Sequence, residues 1–119
     1  MTNIFLISTF LLFSFKLVGQ SFVSPINFTP TESNKKRVIE YIEKQVKEDY
    51  SAIDMDDPST LRMMEKENLN AFKELTKVKN TGLLNSVIKT YCEIGMCNYS
   101  TILMMYNEQN KASKESLSW

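Results

Sequence analysis

Val38-Ile39-Glu40-Tyr41-Ile42-Glu43-Lys44-Gln45-Val46-Lys47-Glu48-Asp49-Tyr50 is the stretch whose reading decides the fold class. Val38, Ile39, Ile42, Val46, Tyr50 and then Ile53 recur at steps of three and four residues. That spacing draws one apolar stripe along a helix, because side chains three and four apart share a face. Glu40, Glu43, Lys44, Lys47 and Glu48 fall on the other side. A half-buried strand would alternate every second residue, and this segment does not. Just upstream, Thr29-Pro30-Thr31-Glu32 reads as the helix start. Thr29 is expected to cap, Pro30 to take the first helical position and Glu32 to return a capping-box bond.

Reading downstream, Ser51 to Asp57 is an acidic loop ending in Asp57-Pro58, a cap followed by a proline at the first helical position. Leu61, Met64, Leu69, Phe72, Leu75 and Val78 give the second helix its buried face, with Asn68 as a polar interruption. Asn80-Thr81-Gly82 marks the next turn, and Leu83, Leu84, Val87, Ile88, Tyr91 and Cys92 line a third helix. Gly95 should end it, since glycine takes the left-handed terminal conformation without strain. A fourth helix starts near Asn98 with Tyr99, Ile102, Leu103, Met105 and Tyr106 apolar. It is expected to fade over Asn107 to Lys111 into a Ser- and Lys-rich tail closed by Trp119. No strand alternation, hairpin dipeptide or repeat appears. The predicted fold is all-α, a small antiparallel bundle of about four helices over residues 30–115, with a polar tail at 116–119.

Reading upstream, residues 22–29 form a short, proline-containing lead-in, expected to be extended. Before it, Ile4 to Phe15 is an apolar run of about a dozen residues, the length of a signal-peptide core. It is shorter than the roughly 20 residues that span a bilayer as a helix, and Lys16 ends it. Gly19 and Ser21 then supply small residues, so residues 1–21 read as a signal peptide cleaved after Gly19 or Ser21. Its alternatives are a buried first helix and a retained anchor extending through Leu17 and Val18. Export implies a secreted or periplasmic protein with no membrane span after signal removal.

Cys92 and Cys97 are the only cysteines among 119 residues, and an even count in an exported chain favours pairing. In a continuous helix, residues five apart hold their Cα atoms roughly 8–9 Å apart. A disulfide needs less than about 7 Å. A Cys92–Cys97 bridge therefore requires a helix break between them, and Gly95 supplies it. Two free thiols, one packed and one exposed, are the rival reading. The spacing leaves four residues between the sulfurs, which is not the CxxC pattern of a redox site.

Chemistry-bearing patterns are sparse. Histidine is absent, and 14 basic residues balance 14 acidic ones. Neither fact favours proton-transfer catalysis or a nucleic-acid partner. Lys35-Lys36-Arg37 reads as solvated helix surface. Met55, Met63, Met64, Met96, Met104 and Met105, joined by the cysteines, are soft donors of the kind that hold Cu(I), though methionine also fills irregular cores. Asp54, Asp56 and Glu65 match three positions of a calcium loop, but Pro58 and Ser59 stand where a ligand and the required glycine belong. Capping and solvation account for those acids better. Asn27-Phe28-Thr29 and Asn98-Tyr99-Ser100 fit the glycosylation pattern. Tyr41, Tyr50, Tyr91, Tyr99 and Tyr106 should be core or half-buried. No catalytic, cofactor or metal site is assigned. The expected role is an exported helical interaction protein with a protein partner, of inhibitor or immunity type; the alternative is a periplasmic Cu(I) carrier.

Overall fold

Thr31, not Thr29, caps the first helix in the computed structural model, which describes residues 21–119. The Thr31 hydroxyl accepts the Asn34 N–H at 3.1 Å, and α1 runs Glu32–Ser51. The Thr29 carbonyl is already occupied, by the Thr31 N–H at 2.8 Å and the Asn34 side-chain amide at 2.9 Å. That tight turn holds Pro30 outside the helix. Glu32 consequently lies in the first turn and pairs with Lys35 at 3.2 Å instead of closing a capping box.

The α1 terminus is the usual glycine-type stop made without glycine. The Met55 N–H reaches back to the Tyr50 carbonyl at 2.9 Å and the Asp54 N–H to the Ser51 carbonyl at 3.2 Å. This pattern puts Asp54 in the left-handed conformation, φ 57°. A residue with a Cβ is strained there. Asp54→Gly is expected to stabilise the protein by about 0.5–1 kcal/mol, readable as a raised urea midpoint at constant slope. A lowered midpoint would show that the Asp54 carboxylate has a role the backbone does not reveal.

Helix α2, Pro58–Leu75, starts as its sequence predicts: Asp57 accepts the Thr60 N–H at 3.0 Å and the Thr60 hydroxyl at 2.7 Å. Asn80 caps α3, Thr81–Glu93, through the Leu83 N–H, and Asn98 caps α4, Tyr99–Ala112, through the Thr101 N–H. Helix α4 does not fade at Asn107; it continues through Lys111, because Tyr106 is buried and fixes the turn from which those exposed polar residues project.

The start of α1 and the end of α2 line one recess, so these two helices run antiparallel. Helix α2 packs against α1 and α4, and α4 also packs against α3, whereas α2 and α3 do not touch along their length. A shallow groove between α2 and α4 is walled by Glu67, Ala71 and Glu74 on one side and Ser100, Leu103 and Asn107 on the other. One buried polar residue sets their register. Asn68, 5 % exposed, donates to the Met64 carbonyl at 2.9 Å and accepts the Ser100 N–H at 3.2 Å. The polar interruption in the α2 stripe is thus an interhelical clamp.

The core holds Val38, Ile42, Phe72, Leu84, Tyr99 and Ile102. Residues 22–29 belong to it as well and are more than a lead-in. Val23 and Pro25 are buried, Phe22 and Phe28 pack against the core, and a turn near Asn27 (φ 55°) redirects the segment into α1. Hydrogen-bonding capacity is met the same way: the Val23 carbonyl accepts the Tyr99 hydroxyl at 2.7 Å. Among the described residues, the segment covers core side chains of α1, α2 and α4 that the helices leave to it. Among the described residues there is no strand, and no helix is long and apolar enough to cross a membrane. The apolar run at Ile4 to Phe15, and with it the signal-peptide reading, lies outside the described residues.

Candidate functional site

The most developed recess lies between α1 and α2, where the hairpin's open end leaves a gap. It has a volume of about 520 Å³, within the range of ligand clefts. Phe28, Val38, Leu69 and Phe72 form an apolar floor, and Ile39 stands at the edge, 43 % exposed. Ile39 was expected on the buried stripe. It lies instead outside the packed core and lines the recess. Lys35 from α1 and Lys73 from α2 line the groove together with Pro30 and Thr76. The Thr76 hydroxyl is turned to its own helix, donating to the Lys73 carbonyl at 2.6 Å. Among the described residues, no acidic side chain lines this groove.

Cys92 and Cys97 come together as the helix-break argument requires. Their sulfurs are at disulfide-bonding distance and their Cα atoms 4.2 Å apart. Helix α3 ends at Glu93, and Gly95, φ 77°, lets the Met96 N–H reach the Tyr91 carbonyl at 2.9 Å and the Gly95 N–H reach the Cys92 carbonyl at 3.3 Å. The stapled turn is tied to α1 because the Tyr41 hydroxyl donates to the Cys97 carbonyl. Serine at both positions should cost about 2 kcal/mol, the closure entropy of so short a loop. In a domain of this size the midpoint falls by roughly 8–16 °C. A melting curve indifferent to reductant would show that the staple contributes nothing.

Beside that turn, burial pushes the Tyr41 phenol up to about 12, with the Asp49 and Glu48 charges adding to the shift. Tyr99 is pushed higher still, by burial first and by Tyr41 second. Both phenols are neutral in the fold, whereas an unfolded chain ionises them near 10.0. Their contribution to stability is complete below that pH and is lost as pH rises from 10.0 through about 12. A far-UV titration should therefore show steep alkaline unfolding, flattened in the Tyr41→Phe/Tyr99→Phe double variant. Coincident curves would contradict it.

The remaining sequence candidates are scattered. Asp54 terminates α1, Asp56 accepts the Ser51 hydroxyl at 3.3 Å, and Asp57 caps α2, its carboxyl held below the usual range first by the Thr60 hydroxyl and then by the Thr60 N–H. Glu65 lies within α2, paired at 3.8 Å with Arg62. Among the described residues no group of three or more His, Cys, Asp or Glu could hold a metal ion. Met64 and Met105 pack on the core, but Met55, Met63, Met96 and Met104 are exposed, so core filling explains only the first two. Cys92 and Cys97 lie at disulfide-bonding distance, and a bond between them would remove both thiolate donors. Asn98 spends its side chain as a cap beside fully buried Tyr99, while Asn27 is exposed in its turn. Tyr41, Tyr99 and Tyr106 are buried and Tyr50 and Tyr91 half-buried, as expected.

The groove itself has no signature in the sequence. A pattern of apolar and basic residues 30 positions apart becomes one recess only through the α1–α2 hairpin. Ile39, read as core, carried the one available signal, since it lies at the margin of the apolar stripe. These features define a four-helix bundle, tied by a cysteine pair, with a single-sided apolar groove at one end. No family model, curated protein or solved structure matches the chain.

Proposed function

We propose that this is an exported helical interaction protein whose partner is another protein, of the inhibitor or immunity type. The observation that carries the reading is the α1–α2 groove, a recess lined by half-buried Phe28 and Leu69 over the buried Val38 and Phe72, with Ile39 exposed at its edge. Contiguous exposed apolar surface mostly marks a contact site, and a cleft between two helices accepts side chains from a third. Export is supported by the apolar run at the amino end and by the Cys92–Cys97 pair, whose 4.2 Å Cα separation is compatible with an oxidising, extracellular location.

The test is recovery of the full chain from the exported fraction of its own cells after mild cross-linking. A protein partner in stoichiometric amount, lost on Ile39→Asp, is the expected result. Intact-mass measurement on the same sample should give a start at Gln20 or Phe22 and no alkylation of the cysteines before reduction. A chain that still begins at Met1 with two reactive thiols, or that never carries a partner, would end the reading.

A further inference from the structure

The hairpin that makes the groove is electrically polarised along its length. In its first turns α1 carries Lys35, Lys36 and Arg37; the end of α2 and the turn after it carry Lys73, Lys77 and Lys79. The antiparallel pairing of α1 and α2 brings these two groups to the same end. Within these two helices and the turn, Glu32, Glu40 and Glu74 accompany them, three carboxylates against six cations. From Glu43 to Glu67 the balance reverses, with eight carboxylates and four cations. An overall charge of zero therefore conceals a basic end and an acidic end, and the groove opens at the basic one.

Lys35 and Lys73 stand on opposite walls of the groove, and all six cations of this end are exposed. Glu32 at 3.2 Å and Glu40 at 3.8 Å engage Lys35 and Lys36; among the described residues no carboxylate lies within 4.0 Å of Lys73, Lys77 or Lys79. We infer that the groove docks an acidic amphipathic helix of the partner protein, its apolar residues on Phe28, Ile39, Leu69 and Phe72 and its carboxylates flanked by Lys35 and Lys73. The inference rests on the protein-partner reading above and supplies the chemistry of that partner.

Two features select this occupant. The cations extend beyond the groove onto the turn after α2, so they match a ligand bearing several negative charges spread over a helix's width, about 10–12 Å. A single carboxylate would leave most of them unmatched. The apolar residues also line a recess, and their counterpart must protrude. A membrane-binding surface has the reverse shape, with apolar side chains projecting between the cations into the lipid.

A defined probe tests it on the full mature chain. A fluorescein-labelled peptide of roughly 18 residues, leucine at i, i+3, i+4 and i+7 and glutamate elsewhere, is long enough to be helical. Its counterpart carries lysine for glutamate. The glutamate peptide should bind at least about tenfold tighter, weaken as salt is raised, and shift the amide signals of Ile39, Leu69 and Phe72. Lys35→Glu/Lys73→Glu, both at exposed positions, should reverse the preference and keep the helix content, with the melting midpoint lowered by only a few degrees for the lost Glu32 pair and the charge at the end of α2.

Equal binding of the two peptides, or shifts confined to other residues, would overturn the inference. So would vesicles of phosphatidylglycerol that retain the protein as strongly as the glutamate peptide does. A native partner still captured by the charge-reversed variant would sink the acidic-helix assignment and leave the interaction reading standing. Capture of nothing by either form would remove both.

Discussion

Tyr99→Ala should lower the unfolding free energy by about 3–5 kcal/mol. Tyr99 has no exposed surface and opens α4 at the point where four elements meet. Its ring centroid lies 5.4 Å from Phe22, 5.5 Å from Tyr41 and 4.9 Å from Phe72, so it touches the amino-terminal segment, α1 and α2 at once. Its hydroxyl satisfies the Val23 carbonyl. Truncation opens a cavity that rings on three separate elements cannot all collapse into, and it strands a buried acceptor. Domains of this size are stable by about 5–15 kcal/mol in total. The melting midpoint should fall by roughly 15–30 °C. Tyr99→Phe separates the two contributions: it keeps the ring and loses the bond, at about 1–2 kcal/mol. Indistinguishable melting of the two variants would mean that the ring cluster is not what holds α4 in place.

What made the helices legible was local. Asp57-Pro58, Gly95 and Asn98 act within one turn of their own position, and each lies where its chemistry predicts, whereas the turn read at Asn80-Thr81-Gly82 is shorter, since Asn80 caps a helix that already holds Thr81 and Gly82. The one cap misplaced, Thr29 for Thr31, came from two threonines flanking a proline. Either could accept a helix amide, and the choice turned on the Asn34 side chain occupying the Thr29 carbonyl. Asn68 shows the opposite case. Its helix position was evident, but its role depends on the Ser100 N–H, 32 residues away, and no local pattern predicts that register. The groove fails for the same reason. Lys35 and Lys73 belong to different stripes, and the neutral total hid their convergence until α1 and α2 were paired. Residues 22–29 look like a linker because they have no periodicity, yet an irregular segment can bury as much apolar surface as a helix if its backbone finds partners.

Truncating the chain so that it begins at Thr29, which takes residues 21–28 away from the bundle, should abolish the native state while leaving much of the helix. The segment takes Val23 and Pro25 out of the core, the Phe22 edge contact with Tyr41 at 5.6 Å and the Phe28 edge contact with Phe72 at 4.9 Å. Each large apolar side chain withdrawn from burial costs about 1.5–3 kcal/mol, and three or four of them approach the whole stability of the domain. The Tyr99 hydroxyl would also lose its acceptor, and Phe72, the floor of the groove, would be uncovered on its Phe28 side. The four helices keep their own caps, since Thr31 and not Thr29 begins α1. The expected product is therefore a compact chain with far-UV helix signal, a lost near-UV aromatic signal and dye-accessible apolar surface. A truncated chain that retains a sharp near-UV spectrum and a cooperative melt would show that the bundle is closed by its helices alone.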